Sequence, residues 1–290
     1  MVAIRPRRSL LYVPASNAKA LDKAASLACD GVILDLEDAV APELKESARA
    51  TAIDAVRSRR FGNREVIIRV NGYDTPWGRA DLEAIAPIGA DAVLVPKVNG
   101  GEDISRFDAA LAAAPPHTAL WAMIETARSV FRLDEIASRA DSTRLRCWVM
   151  GTNDLAKETR ATLDATRLPF QATLSLAVTA ARGWGLDIID GVYNDLDDRA
   201  GFEMQCRQGL QFGFDGKTVI HPNQIEPCNL IFTPAKAELE AAQAIVDAFA
   251  LPENRDKGAV RVAGKMAERL HLDQARRVLA LRAAIEARAQ

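Results

Sequence analysis

The chain has 290 residues, of which 49% are hydrophobic, so it is long enough to bury one large core or two smaller ones. Its formal net charge is -2, and lysines and arginines are scattered among acids, which argues against nucleic acid or an anionic membrane as a partner. The four cysteines lack CxxC spacing, no apolar run reaches about 18 residues, and no signal-like segment follows Arg8. We therefore expect a soluble, cytoplasmic protein without a disulfide framework or a zinc knuckle.

Eight short, nearly continuous apolar segments alternate along the chain with amphipathic, alanine-rich segments. The apolar segments have the composition of strands that are buried on both faces of a parallel sheet. These strands are predicted at residues 9–14, 31–36, 66–70, 92–95, 120–124, 145–150, 186–189 and 217–220. Helices are predicted at residues 18–28, 44–57, 104–113, 130–138, 173–182 and 202–212. Repeated strand–helix alternation predicts an α/β fold of the (β/α)8 TIM-barrel type; an open doubly wound sheet is disfavoured because no GxGxxG loop follows the first strand.

The pattern changes after the eighth predicted strand. Only helical patterns follow, at residues 234–249 and 265–289, with a polar loop at residues 253–258. We therefore predict a barrel domain over residues 1–232 and a C-terminal helical extension over residues 233–290. The extension would pack on the barrel or contact a neighbouring subunit.

Charged and polar side chains follow seven of the predicted strands at their carboxyl ends. In a (β/α)8 barrel these ends open onto one face, where the active site lies. Contact with solvent at the strand ends is by itself a poor explanation for so many charged and polar residues. They include Asp35, Glu37, Asp38, Arg69, Asn71, Lys97, Glu125, Asn153, Asp154, Asp190 and His221.

Glu125 and Asp154 end adjacent predicted strands and are the favoured metal ligands. Only three histidines exist and they are far apart in sequence, so oxygen atoms would have to hold any metal. Two carboxylates with water molecules suit Mg2+. Each residue also has an ordinary structural alternative: Glu125 beside Thr126 as a helix cap, and Asp154 as an acid in a first helical turn.

Arg69 follows a purely apolar strand at the predicted barrel mouth, where a guanidinium can hold a carboxylate with two hydrogen bonds. An ion pair with the acids of residues 35–38 is the structural alternative, and both interpretations can hold together. Side chains alternate along a strand, so Asp35, Glu37 and Asp38 cannot all point inward. For Lys97 a salt bridge is favoured over a Schiff base.

The same segments resemble the citrate lyase β-subunit-like group of the HpcH/HpaI aldolase/citrate lyase superfamily, which is related to malyl-CoA and citramalyl-CoA lyases. The matching segments run through nearly the whole chain in the family's order, and DLEDAV followed by GFDGK and IHP is specific. They include RRSLLYVPASNAKALDKA, DGVILDLEDAVAPELKESAR, ADAVLVPKV, MIETA, GTNDLA, IIDGVY and GFDGKTVIHPNQI. The resemblance implies a barrel enzyme with Mg2+ on Glu125 and Asp154, and with Arg69 on the substrate carboxylate.

The resemblance also implies contacts with CoA and substrate near Tyr12, Lys19 and Lys23. Lysines four residues apart share a helix face, which suits a pyrophosphate or 3′-phosphate, although an ordinary solvated face has the same pattern. Asp190 and Gly191 are expected to line the pocket.

Relatives carry a C-terminal segment that reads roughly G-x-M-I-D-x-P, whose aspartate reaches a neighbouring subunit's active site. Here the segment is GKMAERL, with Glu268 in place of the aspartate and Leu270 in place of the proline. The resemblance therefore implies a homo-oligomer, a trimer, in which Glu268 acts in trans. Glu37 and Asp38 complete the predicted catalytic acids.

Together these features predict a Mg2+-dependent carbon–carbon lyase that acts on a small 3-hydroxyacyl-CoA thioester of the malyl-CoA or citramalyl-CoA type. Its products would be an acyl-CoA and a 2-oxo acid. Three alternatives remain open: a (3S)-malyl-CoA-type thioesterase, a citrate lyase β-subunit acting in a complex, and a catalytically silent protein that binds acyl-CoA or a 2-oxo acid.

Overall fold

The computed structural model describes residues 4–289, in which eight parallel strands close into a barrel in sequence order. The predicted (β/α)8 TIM barrel is therefore confirmed. The strands are β1 Ser9–Pro14, β2 Gly31–Asp35, β3 Glu65–Arg69, β4 Ala92–Val95, β5 Ala119–Ile124, β6 Leu145–Met150, β7 Asp187–Asp190 and β8 Gly216–Val219. Each predicted strand agrees with the observed one to within about one residue at either end, because continuous apolar runs mark buried parallel strands clearly.

The barrel helices were predicted less completely. They are α1 Ala18–Ala24, α2 Lys45–Arg57, α3 Gly78–Ile85, α4 Gly101–Ala110, α5 Ala127–Val130, α6 Leu133–Ala137, α7 Thr152–Thr159, α8 Gln171–Gly183, α9 Arg199–Phe212 and α10 Ile225–Ile231. The sequence pattern missed α3, α7 and α10, which have only 7 or 8 residues and so show little periodicity. The single helix expected at residues 130–138 is instead two short helices separated at Phe131 and Arg132.

Strand side chains alternate between the barrel interior and the layer beneath the helices. The interior cluster consists of Leu10, Ile33, Ile67, Ala92, Leu94, Trp121, Met123, Cys147, Val149 and Ile189, with Tyr12 and Ala119 packed against it. At the amino end of the barrel, Arg7 pairs with Glu65 and Asp187, and its guanidinium lies 4.8 Å from the centre of the Trp121 ring. Arg7 thus joins two acids of the amino end in ion pairs, whereas the strand carboxyl ends carry the candidate site.

Contacts divide the described chain into a barrel unit, Arg7–Phe232, and a second unit formed by the residues from Thr233 onward with those just before Arg7. The second unit contains α11 Lys236–Ala250, β9 Ala259–Val262, β10 Lys265–Glu268 and α12 Arg269–Ala289.

The expectation of an all-helical tail is wrong, because β9 and β10 form an antiparallel hairpin. The connecting residues Ala263 and Gly264 both have positive φ, 46° and 81°, as a two-residue hairpin turn requires. Glu268 is consequently the last residue of a strand and not part of a helix, and its backbone N–H donates to Nδ1 of His271 at 2.9 Å. None of the helices described between residues 4 and 289 has the length and apolar composition needed to cross a bilayer.

Candidate active site

A cavity of about 300 Å3 lies at the carboxyl ends of the barrel strands. It brings together five of the side chains to which the sequence assigned a catalytic, metal-binding or substrate-binding role: Tyr12, Asp38, Arg69, Glu125 and Asp154. The remaining lining residues are Asp35, Ala39, Met123, Met150, Gly151, Thr152, Asn153, Val192, Asn194, Thr218 and Ile220.

Glu125 directly follows β5, is fully buried and lines this cavity. Its Oε1 accepts the backbone N–H of Lys97 at 2.7 Å, while its Oε2 has no hydrogen-bond partner within the described chain. Burial, together with the nearby Glu37 and Asp154 carboxylates, raises the pKa of Glu125 to about 8. A Cβ at Gly151 would lie 2.5 Å from that Oε2, so only glycine leaves space for the carboxylate.

The Glu125 and Asp154 pair fits a divalent cation. Asp154 lies in the first turn of α7 and lines the same cavity. A buried carboxylate oxygen without a partner is costly, and a cation would both pair it and favour its ionised form. No group of three or more His, Cys, Asp or Glu residues that could hold a metal occurs in residues 4–289. Water and substrate oxygens would have to complete the shell, which is the arrangement that Mg2+ prefers.

Arg69 ends β3 and lines the same cavity. Its Nε and Nη2 donate to the two carboxylate oxygens of Asp35, each at 2.7 Å. Its Nη1 lies 2.9 Å from Oε2 of Glu37, and its guanidinium lies 4.9 Å from the centre of the Tyr12 ring. The structural ion pair considered from the sequence is present, and the arginine lines the cavity as well.

Three carboxylates lie at the end of β2 and in the acidic turn that follows it, those of Asp35, Glu37 and Asp38, and each has different surroundings. Asp35 accepts the backbone N–H groups of Glu37 and Ala39 at 2.9 and 3.1 Å. Glu37 is buried, does not line the cavity, and pairs with Nζ of Lys97 at 2.5 Å, so the predicted salt bridge of Lys97 is confirmed. Burial raises the pKa of Glu37, although Arg69 and Lys97 oppose the shift. Asp38 is 57% exposed and faces the cavity.

Residues 8–222 match the family described as HpcH/HpaI aldolase/citrate lyase. The chain belongs to this family. The expected resemblance is thus confirmed, and at the level of the family the enzyme class is that of carbon–carbon lyases.

Two kinds of relative are similar to this chain over nearly its whole length. A (3S)-malyl-CoA thioesterase of Cereibacter sphaeroides is 48% identical over 282 residues, which cover 97% of this chain and 96% of that protein. The citrate lyase subunit beta of Escherichia coli strain K12 is 34% identical over 284 residues, which cover 95% of this chain and 93% of that protein. Among solved structures, the protein CitE of Mycobacterium tuberculosis in complex with magnesium, acetoacetate and coenzyme A has a TM-score of 0.77 and 28% identity, covering 98% of this chain and all 100% of that one.

Lys45 is a site residue that the sequence interpretation missed. Its buried Nζ donates to the carbonyl oxygens of Leu36 and Glu37 at 2.8 and 2.7 Å, and to Oδ1 of Asn71 at 2.7 Å. All three ammonium donors are thereby used to hold the acidic turn against β3. A signal was present, because Lys45 shares the buried face of α2 with small alanines, a position at which an unpaired lysine would be costly.

Asp190 and Gly191 do not line the cavity, contrary to expectation. Strand alternation points Ile189 into the barrel and Asp190 outward, where its carboxylate is buried and paired with Arg167 at 2.6 Å and Lys217 at 2.9 Å. Burial disfavours ionisation, but the two cations outweigh it and hold the pKa of Asp190 below its ordinary value. Val192 lines the cavity in their place.

Lys19 and Lys23 are exposed on α1, four residues apart, and neither belongs to the cavity lining. Glu268 is exposed in the second unit. The roles expected of these three residues stay predictions.

Proposed function

We propose that this protein is a Mg2+-dependent lyase that cleaves the carbon–carbon bond of a small 3-hydroxyacyl-CoA of the malyl-CoA or citramalyl-CoA type. The products would be an acyl-CoA and a 2-oxo acid. The observation that carries the proposal is the buried, unpartnered carboxylate oxygen of Glu125 in the same cavity as the guanidinium of Arg69. The complex of the related CitE with magnesium, acetoacetate and coenzyme A supports this choice of ligands.

Glu125 and Asp154 would hold the Mg2+, with the substrate completing its shell. When bound, the ion would act as a Lewis acid toward the substrate oxygens. Arg69 would hold the substrate carboxylate through its N–H groups that face the cavity. Since Asp35 fixes the guanidinium plane, little orientational freedom would be lost when the substrate binds.

The bond changes can be assigned to residues of this chain. Asp38, the acid of the turn that faces the cavity, accepts the proton of the substrate β-hydroxyl. The electrons of that O–H bond form the carbonyl of the 2-oxo acid as the Cα–Cβ bond breaks, and the pair from the broken bond forms a thioester enolate. A carboxylic acid then protonates the α-carbon, and we assign this step to Glu268 of a neighbouring subunit. Glu37, held by Lys97 and Arg69, positions the turn that carries Asp38.

The proposal includes a homotrimer. Its barrel domains, residues 1–232, carry the metal and substrate groups, and its C-terminal extensions, residues 233–290, supply Glu268 in trans. Lys19 and Lys23 contact the CoA phosphates from the first βα segment. In this arrangement each active site needs two chains.

A second candidate is hydrolysis of the thioester, because the Cereibacter sphaeroides relative with 48% identity is a (3S)-malyl-CoA thioesterase. The same cavity would hold the hydroxyacyl group, but water would attack the thioester carbonyl and the Cα–Cβ bond would stay intact. A citrate lyase β-subunit, as the Escherichia coli relative is named, would require further subunits for turnover.

Product analysis separates these candidates. The purified protein with Mg2+ is incubated with malyl-CoA, citramalyl-CoA and a hydroxyacyl-CoA that lacks the distal carboxylate. A 2-oxo acid released together with an intact acyl-CoA supports the lyase, whereas free CoA thiol released with a hydroxy acid supports the thioesterase. Binding without turnover of any of these thioesters contradicts both the lyase and the thioesterase. It leaves a citrate lyase β-subunit that needs further subunits, or a catalytically silent binding protein.

A further inference from the structure

Met123 occupies a distinct place in the cavity. It lies on the inward face of β5, two residues before Glu125, and is only 4% exposed. Residues two apart on a strand share a face and are separated by roughly 7 Å. The Met123 side chain is therefore the inward group directly below the candidate metal carboxylate.

The Met123 thioether also contacts side chains from β3 and β1. Its Sδ lies 3.7 Å from Nη1 of Arg69 and 4.0 Å from the Tyr12 hydroxyl. Below it the barrel is closed by the fully buried Trp121. A thioether is a weak hydrogen-bond acceptor, so it provides Arg69 with packing rather than with a strong partner. Met123 thus forms the apolar floor between the guanidinium and the Glu125 carboxylate.

A 2-oxo acid that spans these two charged groups would have its carbonyl carbon above this floor. This step rests on the proposed function, in which Arg69 would hold the carboxylate and a Mg2+ ion held by Glu125 and Asp154 would attract the keto oxygen. The substituent on the carbonyl carbon is hydrogen in glyoxylate, methyl in pyruvate and ethyl in 2-oxobutyrate. The cavity of about 300 Å3 lies at the small end of the range for ligand pockets, so a longer substituent would meet the thioether.

We infer that Met123 is a specificity-determining residue, which limits the substituent on the carbonyl carbon of the 2-oxo acid to a small group. The other methionine of the cavity lining, Met150, does not share this role. Its side chain belongs to the outer core cluster between the strands and the helices, and it is not among the residues of the barrel interior.

The test uses Met123→Ala, with Met204→Ala as the control that removes the same atoms from a methionine on α9, outside the cavity lining. Binding of glyoxylate, pyruvate and 2-oxobutyrate is measured by calorimetry with saturating Mg2+, and condensation with an acyl-CoA gives kcat/KM for each acid. One methylene in an apolar pocket changes affinity by about 10-fold or more. Met123→Ala is therefore expected to raise the ratio of 2-oxobutyrate to pyruvate affinity by about 10-fold, while Met204→Ala leaves that ratio unchanged.

Two further variants keep the test decisive. Met123→Leu conserves volume and is expected to retain the wild-type order of affinities. If Met123→Ala does not fold, Met123→Val removes fewer atoms and should move the ratio in the same direction. An unchanged ratio in the folded truncation variant overturns the role of Met123. If the wild-type protein binds none of the three acids, the proposed function itself fails, which is a different result.

Discussion

The guanidinium of Arg69 and the carboxylate of Asp35 face each other with two parallel hydrogen bonds of 2.7 Å, Nε to Oδ1 and Nη2 to Oδ2. The same carboxylate accepts the backbone N–H groups of Glu37 and Ala39. One buried acid therefore orients both the arginine of the cavity wall and the turn that carries Asp38. The pairing of β2 with β3 brings Asp35 and Arg69 side by side, so the barrel register itself sets this geometry.

Arg69→Lys retains the positive charge but loses the planar guanidinium group, which can donate two parallel hydrogen bonds to one carboxylate. We expect affinity for a 2-oxo acid to fall by roughly 1–3 kcal/mol, the contribution of hydrogen bonds to charged groups. Calorimetry in saturating Mg2+ measures this, with the exposed Arg207 replaced by Lys as the control. Equal binding by Arg69→Lys would leave the arginine with its structural ion pair alone.

Glu125→Gln removes one of the two proposed metal carboxylates and leaves the side-chain shape nearly unchanged. We expect the affinity for Mg2+ in the presence of a 2-oxo acid to fall by at least about 10-fold, or about 1.4 kcal/mol. The comparison is with Glu226→Gln, an exposed acid on α10. Unchanged metal affinity in Glu125→Gln would end its assignment as a ligand.

The strands and the polar residues at their ends were predictable because each depends on local sequence. A buried parallel strand has a continuous apolar run, and the residue that follows it lies at the barrel mouth. Glu125, Asp154 and Arg69 were placed in one cavity on this basis.

Orientation was not predictable in the same way. Asp190 ends a strand just as Arg69 does, yet a shift of one position along the pleat turns its carboxylate outward to Lys217 and Arg167. The hairpin that carries Glu268 was missed because a two-residue turn needs positive φ at both positions, and Ala263 gives no signal of this in sequence. Lys45 was missed because two of its three partners are backbone carbonyl oxygens, which every residue has and which the sequence therefore does not reveal.

The double variant Lys19→Ala and Lys23→Ala tests the proposed CoA contacts. We expect the KM for the acyl-CoA thioester to rise, and the ratio to the wild-type KM to be largest at low salt, where charge interactions are least screened. Replacing the exposed Arg57 and Arg207 by Ala makes the same change in net charge elsewhere on the barrel. A rise in the KM for the 2-oxo acid alone would show that the two lysines were misassigned.

Asp190→Asn tests the buried ion pairs behind β7. At neutral pH the variant leaves the buried Lys217 and Arg167 without their carboxylate, so the free energy of unfolding should fall by roughly 3–5 kcal/mol. The folded-state pKa of Asp190 is lowered, so its contribution is complete above the unfolded pKa of about 3.9 and is lost as pH falls through the folded value. Urea unfolding at pH 7 and at successively lower pH should show the difference from wild type shrinking below about pH 4. A difference independent of pH would contradict this origin.

The last prediction concerns Glu268, which we place in the active site of a neighbouring subunit. Glu268 ends β10 and is exposed within its own unit, and Met266 and Leu270 beside it are 72% and 52% exposed. Apolar side chains exposed around an acid suit a contact with a second copy of the chain better than contact with water. The Glu268→Gln and Glu125→Gln chains, each expected to be inactive alone, are mixed under conditions that allow subunit exchange. Mixed oligomers should regain part of the activity, because some sites receive an intact Glu125 from one chain and an intact Glu268 from the other.

Light scattering of the wild-type protein should give the mass of a trimer, and subunit exchange is followed with differently labelled chains. No recovery despite demonstrated exchange would refute a shared site, and full activity of Glu268→Gln alone would remove this residue from the mechanism.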